Sequence, residues 1–226
     1  MSDRPTALVT GASRGIGAAI ATALADTHDL LLGGRDEARL ADLAAGFPSA
    51  QPWPVELTDE SAVAAATAGI DRLDVLVHSA GIVRLGAVAD LPASAWRESY
   101  EVNVVAVAEL TRRLLPALRT AGGHVVLINS GAGLKASPRW GAYATTKFAL
   151  RAFADVLRAE EPDLRVTSVH PGRTTTDMQR EVREFEQGDF EPTRYLTPES
   201  VAGAVHAAIT TPADAQVHEV VIRPRA

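Results

Sequence analysis

The stretch "TALVTGASRGIGAAIATAL", residues 6 to 24, joins a short apolar run, a glycine-rich turn and an alanine-rich segment of helical period. Gly11, Gly15 and Gly17 fall where a predicted strand gives way to a predicted helix. At such a junction the backbone N–H groups and the helix dipole can hold a pyrophosphate, and missing side chains allow close approach. The spacing differs from the commoner GxGxxG, and glycines also serve tight turns and helix-to-sheet packing without any ligand. Its position at the end of the first strand of an α/β chain favours the nucleotide reading.

The alternation continues outward from that turn. Apolar runs at 6–10, 29–34, 73–79, 124–130, 165–170 and 218–223, with a weaker one at 50–57, are separated by helical patterns at 15–27, 36–45, 59–68, 96–119, 141–160 and 197–210. Continuous apolar strands imply burial on both faces, and intervening helices imply parallel crossovers. The expected fold is therefore an α/β, doubly wound Rossmann-type parallel sheet of about seven strands with helices on both faces. Thr58, Thr197 and Pro198 mark expected helix starts. Residues 173–196 read as one long polar connection, a candidate mobile lid over bound substrate.

With 226 residues, 46% hydrophobic and 22% charged, the chain fits one globular domain, 1–226. A net charge of -6 and the lack of a basic run argue against a nucleic-acid partner. Cysteine is absent, so disulfides, thiolate metal sites and a cysteine nucleophile are excluded, and no acidic or histidine cluster around His78 suggests a metal. The opening run is too short for a signal segment, and no stretch is long enough to span a membrane. The expected location is cytoplasmic.

A second informative stretch is "YATTK", residues 143–147, which sets Tyr143 and Lys147 four apart on a predicted helix. A neighbouring cation lowers a phenol's pKa, which suits a tyrosine general acid/base. The same pair also fits an exposed lysine reaching past a half-buried tyrosine. The pair does not stand alone: "TGASRGIG", "HSAG" (78–81), Asn103 in "NVVA", Ser130 in "INSGAG" and "PGRTTT" (171–176) accompany it, with Ser130 thirteen residues before Tyr143. In this combination and order the sequence resembles the short-chain dehydrogenase/reductase family, in its shorter single-domain branch, over nearly the whole chain.

The resemblance implies an enzyme with a catalytic set of Asn103, Ser130, Tyr143 and Lys147 and a nicotinamide cofactor. Tyr143 would pass the proton, Ser130 would hydrogen-bond the developing alkoxide, Lys147 would bond the ribose, and Asn103 would hold a relay water. The cofactor site implied comprises Gly11, Ser13, Arg14, Gly15, Ile16, Gly17, Arg35, Glu56, Leu57, Ser79, Ala80, Gly81, Tyr143, Lys147, Pro171, Gly172, Thr174 and Thr176, with Thr176 nearest the carboxamide. His78 and Ser79 stand where the family commonly has two asparagines that tie neighbouring strands, and Glu56 stands where an aspartate usually meets the adenine. His78 is expected to bond backbone at its strand end. A homodimer or homotetramer is expected, built on apolar faces that include Val104, Val107, Leu114 and Leu118 on one helix and Phe148, Ala152 and Val156 on another.

Cofactor choice turns on "LLLGGRDEARL". A site preferring NAD places an acid at the end of the second strand, and here that place falls on Gly34, with Arg35 next and Arg14 in the glycine turn. Two guanidiniums facing a 2′-phosphate point to NADP(H), with Asp36 capping the following helix. In the contrary reading the strand runs further and Asp36 takes the ribose. The expected reaction is hydride transfer between NADP(H) and a small-molecule carbonyl or secondary alcohol, in a pocket facing Ile82, Leu134, Trp140, Arg173 and Met178, with Lys135 and Arg139 on the same loop. The competing class is a catalytically idle dinucleotide-binding sensor or scaffold, which would not need all four reacting positions.

Overall fold

In the computed structural model, which describes residues 4–212 and 214–225, seven strands form one sheet. They are Thr6–Val9 (β1), Asp29–Gly34 (β2), Ala50–Pro54 (β3), Val75–His78 (β4), His124–Ile128 (β5), Arg165–Pro171 (β6) and Glu219–Ile222 (β7). All pair in parallel, in the order β3-β2-β1-β4-β5-β6-β7. The helices are Gly15–Leu24 (α1), Glu37–Ala45 (α2), Glu60–Thr67 (α3), Ala93–Tyr100 (α4), Ala106–Ala121 (α5), Gly141–Glu160 (α6), Asp177–Phe185 (α7) and Pro198–Ile209 (α8). The doubly wound reading of the sequence holds. The strand order reverses between β1 and β4, which opens a crevice at the carboxyl ends of the strands.

Period-two alternation explains why the strands are apolar throughout. Ala7, Val9, Val75, Val77 and Val126 point into one core with α1, α2 and α8, while Leu8, Leu76, Val125 and Leu127 point into the other with α3, α5 and α6. A polar residue at any of these positions would face a buried apolar layer.

Four sequence expectations change. Thr58 is not the start of α3; Asp59 caps it, accepting from the N–H groups of Ser61 and Ala62. The expected helix over 96–119 is two helices joined by a π-helical turn, Glu101–Val105, in which the Ala106 N–H reaches back to the Glu101 carbonyl. Val107, Leu114 and Leu118 belong to the core and are not free for an oligomer face. The connection 173–196 contains α7, capped by Thr176, and a 3₁₀ turn, Pro192–Arg194. Its polar reading missed an amphipathic helix because the apolar face is narrow, with Met178 and Val182 packed toward Tyr143. Thr197 does cap α8, with Pro198 at its first position, as expected.

Among the described residues no helix is long and apolar enough to cross a membrane, and no cluster of three His, Cys, Asp or Glu could hold a metal.

Candidate active site

Two adjoining hollows lie at the carboxyl ends of the strands. One is a cleft of about 820 Å³ running from the glycine turn to Lys147, and the other a pocket of about 540 Å³ beside it.

The cleft begins at the β1–α1 turn. Gly11 has φ +67°, and a Cβ there would sit 2.9 Å from the backbone of Ala80, while one on Gly17 would strike the Gly11 carbonyl. The turn therefore needs these residues bare. No side chain caps α1, whose N-cap Arg14 makes no capping hydrogen bond, so its first N–H groups remain free donors for an anion. This bare, donor-lined turn at the strand-order reversal fits a dinucleotide pyrophosphate. Ser13, Ile16, Arg35, Glu56, Leu57, Ser79, Ala80, Gly81, Ile82 and Thr176 line the same cleft.

Ser79 and Ala80 are tied to Thr10, the residue after β1. The Thr10 hydroxyl accepts from the N–H groups of Ser79 and Ala80 at 3.0 and 3.2 Å, and donates to the Val77 carbonyl. His78 differs from expectation: its Nε2 meets the Thr111 hydroxyl on α5 at 2.9 Å, a side chain and not backbone. Complete burial pushes its pKa down to about 3, so it packs as a neutral ring.

Beyond the glycine turn, β2 ends at Gly34, and Asp36 caps α2 by accepting from the Arg39 N–H at 3.1 Å. Arg35 projects outward, its side chain 77% exposed, with Glu56 as a partner at 3.5 Å. Arg14 pairs with Asp177 at the start of α7 at 3.0 Å.

The deep end of the cleft holds Tyr143 and Lys147, one turn apart on α6, both buried. Lys147 donates from Nζ to the Ile128 carbonyl at 2.9 Å, and burial lowers its pKa to about 8. Its Nζ stands 5.7 Å from the Tyr143 ring centre. Burial raises the Tyr143 pKa above the ordinary phenol value, and an interaction with the Ser130 hydroxyl opposes that rise. Desolvation is the larger of these two influences on the phenol. A small apolar cluster of Val83, Val182 and the edge-on ring of Trp140, 5.9 Å away, supplies the desolvation.

Ser130 follows β5 in extended backbone, and its Oγ accepts from Ala132 N–H at 3.1 Å. Asn129, which sequence reasoning missed, fixes it: Oδ1 accepts from the Ser130 N–H and Nδ2 donates to the Lys147 carbonyl. One buried amide thus locks Ser130 to α6. Asn103 sits on the π-helical turn, 1% exposed. Its Oδ1 accepts from Ile82 N–H, and its Nδ2 donates to the Ile82 carbonyl and the Thr146 hydroxyl. These three bonds let the side chain position the loop after β4.

Pro171, Gly172, Thr174 and Thr176 from the β6–α7 connection line the second pocket with Ser130, Tyr143, Trp140, Arg173 and Met178. Thr174 donates to the Gly172 carbonyl, and Thr176 caps α7. Ile82 faces the cleft instead, Leu134 lines neither hollow, and Arg139 stacks over Phe185. Lys135 does line the pocket, as do Val83, Gln179, Glu186 and Arg223. These four carried no local motif; only folding brings them there.

The short chain dehydrogenase family model matches residues 5–187 of this chain. The chain belongs to the short-chain dehydrogenase/reductase family. This short-chain dehydrogenase/reductase is 31% identical over 245 residues to dehydrogenase/reductase SDR family member 11 of Mus musculus, covering 96% of this chain and 93% of that protein. It is also 34% identical over 235 residues to glycine betaine reductase ATRR of Emericella nidulans, spanning 97% of this chain but only 18% of that protein. In structure it superposes, with a TM-score of 0.89 and 29% identity, on an alcohol dehydrogenase from the archaeon Thermococcus sibiricus complexed with 5-hydroxy-NADP, covering 98% of this chain and 97% of that one. As a family member it is an NAD(P)-dependent oxidoreductase acting on small molecules.

Proposed function

We propose that residues 1–226 form one catalytic domain that reduces a small carbonyl compound with NADPH, and oxidises the corresponding secondary alcohol in reverse. One observation carries this reading: the Tyr143 side chain lines both the dinucleotide cleft and the adjoining pocket. A proton donor at that boundary faces cofactor and substrate together.

The nicotinamide supplies or accepts the hydride. Tyr143, held neutral by burial, gives its proton to the carbonyl oxygen as negative charge develops there. Ser130 donates a hydrogen bond to the same oxygen, from a position held by Asn129. Lys147 would hold the cofactor ribose with the donors left beside its bond to the Ile128 carbonyl. With its pKa near 8, it also exchanges protons close to neutral pH and can restore the phenol after turnover. Asn103 positions the loop after β4, and its amide oxygen keeps one acceptor site for the relay water that the family pattern assigns to it.

NADPH is favoured because Gly34 occupies the strand end, Asp36 is engaged as a helix cap, and Arg14 and Arg35 flank the cleft with only exposed partners. Surface ion pairs of that kind contribute about 0–1 kcal/mol, so a 2′-phosphate can displace their carboxylates. The NADP-type ligand of the archaeal alcohol dehydrogenase agrees with this choice. The deciding experiment is a screen of carbonyl and alcohol compounds with both cofactors, read by nicotinamide absorbance. Turnover with NADPH and a carbonyl compound is expected; tight cofactor binding with no turnover across the panel would favour the idle-sensor alternative.

The chain is further proposed to form a homo-oligomer through α6. Phe148, Ala152 and Val156 are exposed at successive turns, with Tyr100 and Val105 also exposed on the neighbouring helical segment. Sedimentation should give a dimer or tetramer at micromolar concentration, and Phe148→Asp should shift it toward monomer. A wild-type monomer would reject this interface.

A further inference from the structure

The pocket beside Tyr143 is apolar around the phenol, but elsewhere its wall is charged. Lys135, Arg173, Arg223 and Glu186 line it. Glu186 is taken up by Arg173 through two bonds of 2.8 and 2.7 Å, and accepts from Arg183 as well. Among the described residues no carboxylate pairs with Lys135 or Arg223. The pocket therefore carries surplus positive charge in a chain whose net charge is -6.

Arg223 is the ordered member of this group. It follows β7, and its Nη1 donates to the His170 carbonyl at 2.6 Å and the Ile222 carbonyl at 2.9 Å. These bonds tie the guanidinium across the ends of β6 and β7. The side chain passes close to two bare backbones: a Cβ on Gly131 would lie 3.1 Å from its Nη2, and one on Gly172 would lie 3.2 Å from its Cδ. Gly131 is the residue after Ser130, which places the guanidinium beside the group that faces the carbonyl oxygen. Its Nε and Nη2 make no hydrogen bond among the described residues. A planar guanidinium on a pocket wall, held by one nitrogen and with its other donors unpaired, matches a carboxylate.

We infer that Arg223 is a substrate-binding residue that receives a carboxylate of the substrate, with Lys135 adding charge at the same wall. The substrate class is then oxo acids and the matching hydroxy acids. This rests on the hydride-transfer reading above and narrows it. A neutral ketone would leave the free guanidinium donors to solvent and gain nothing from them. A carboxylate would gain charge-assisted hydrogen bonds at the open wall of the pocket, where Arg223 and Lys135 are exposed.

The test compares short-chain 2-oxo and 3-oxo acids with their methyl esters, using NADPH and the whole protein. The acids should be preferred by the wild-type protein. Arg223→Leu should lower kcat/KM for the acids by roughly 10- to 100-fold, mainly through KM, while leaving the esters largely unchanged. Arg223→Lys should recover part of the loss. Because Arg223 also ties β6 to β7, Lys135→Ala serves as a second variant, with a smaller loss for acids only. A wild-type preference for esters, or an equal loss for acid and ester in Arg223→Leu, would overturn the inference and leave Arg223 as a strand tie. Calorimetric binding of the same acids in the presence of NADP⁺ separates this inference from the reading beneath it. Acid binding that depends on Arg223, without any turnover, would uphold the anchor and reject hydride transfer. Equal acid binding by wild type and Arg223→Leu would reject the anchor whatever the turnover.

Discussion

The deep end of the cleft and its rim are built by different means. Asn103, Asn129, Tyr143 and Lys147 are buried, and the two amides and the lysine are held by hydrogen bonds to backbone groups. At the rim, Arg14, Arg35, Asp177 and Glu56 are exposed and joined by ion pairs, Arg14 to Asp177 and Arg35 to Glu56, with Glu56 also accepting from Thr58. A buried polar group that loses its partner pays a desolvation cost of about 1–3 kcal/mol, whereas an exposed ion pair exchanges partners at little cost. The contrast assigns reaction chemistry to the rigid part and ligand selection to the adaptable part. Substitutions in the first should abolish turnover, and substitutions in the second should change which cofactor is used.

The largest expected effect is at the deep end. Tyr143→Phe keeps the ring and its packing against Trp140 but removes the proton donor. It should lower kcat by about 10² to 10⁴, with NADPH affinity measured by fluorescence titration near wild type. Comparable turnover in the mutant would break the comparison at its strongest point.

Next comes the rim. Arg35→Ala should lower kcat/KM for NADPH by about 10-fold or more, since charge-assisted hydrogen bonds are worth about 1.5–3 kcal/mol, and leave NADH unaffected. A selective loss with NADH in Asp36→Ala would instead show that Asp36 leaves its helix cap to take the ribose.

An acid sensitivity, gradual with pH, belongs to the buried interior. His78 and His124 both have pKa values lowered to about 3, chiefly by burial. Below the unfolded value of about 6.5 the unfolded chain binds protons that the folded chain refuses, so stability is complete above pH 6.5 and falls as pH drops toward 3. Each group contributes up to about 1.4 kcal/mol per pH unit in that window. Thermal melts should show Tm falling below pH 6.5, and His78→Gln, which can still meet the Thr111 hydroxyl, should flatten the slope. An unchanged slope would mean that the ring is reached by water.

The smallest effect tests the rim's adaptability. Asp177→Ala removes the partner of Arg14 and should change global stability by less than about 1 kcal/mol. Hydrogen exchange in α7 should nevertheless rise, and bound cofactor should restore its protection. Equal α7 protection with and without cofactor in the unmutated chain would argue against any lid motion of this segment.

Local pattern was enough for much of the fold and for part of the site. Period-two and helical periodicities specify alternating strands and helices wherever a face is buried, and the glycine turn and "YATTK" carry their chemistry within a few residues. Gly34 at the end of β2 and Asp36 as a cap were legible for the same reason, because capping is a local hydrogen bond. The choice between Thr58 and Asp59 was not, since either side chain is an acceptable cap and the backbone entering α3 decides.

The rest depended on distance along the chain. Thr10 meets Ser79 and Ala80 only because β1 and β4 lie side by side, and Asn129 becomes a positioning group only because β5 delivers it against Lys147. The π-helical turn at Glu101–Val105 adds no sequence signature, yet it turns Asn103 toward Ile82. Arg223 lies some 80 residues from Tyr143 by sequence, in a short run that reads as an ordinary edge strand. The sequence by itself determined the order of elements, the phosphate turn and the tyrosine–lysine pair, because each follows from neighbours within a turn or a strand. The tertiary structure alone decided which buried amides hold Ser130 and the loop after β4, and which cations face the pocket, because those contacts arise from packing between segments that no local period connects.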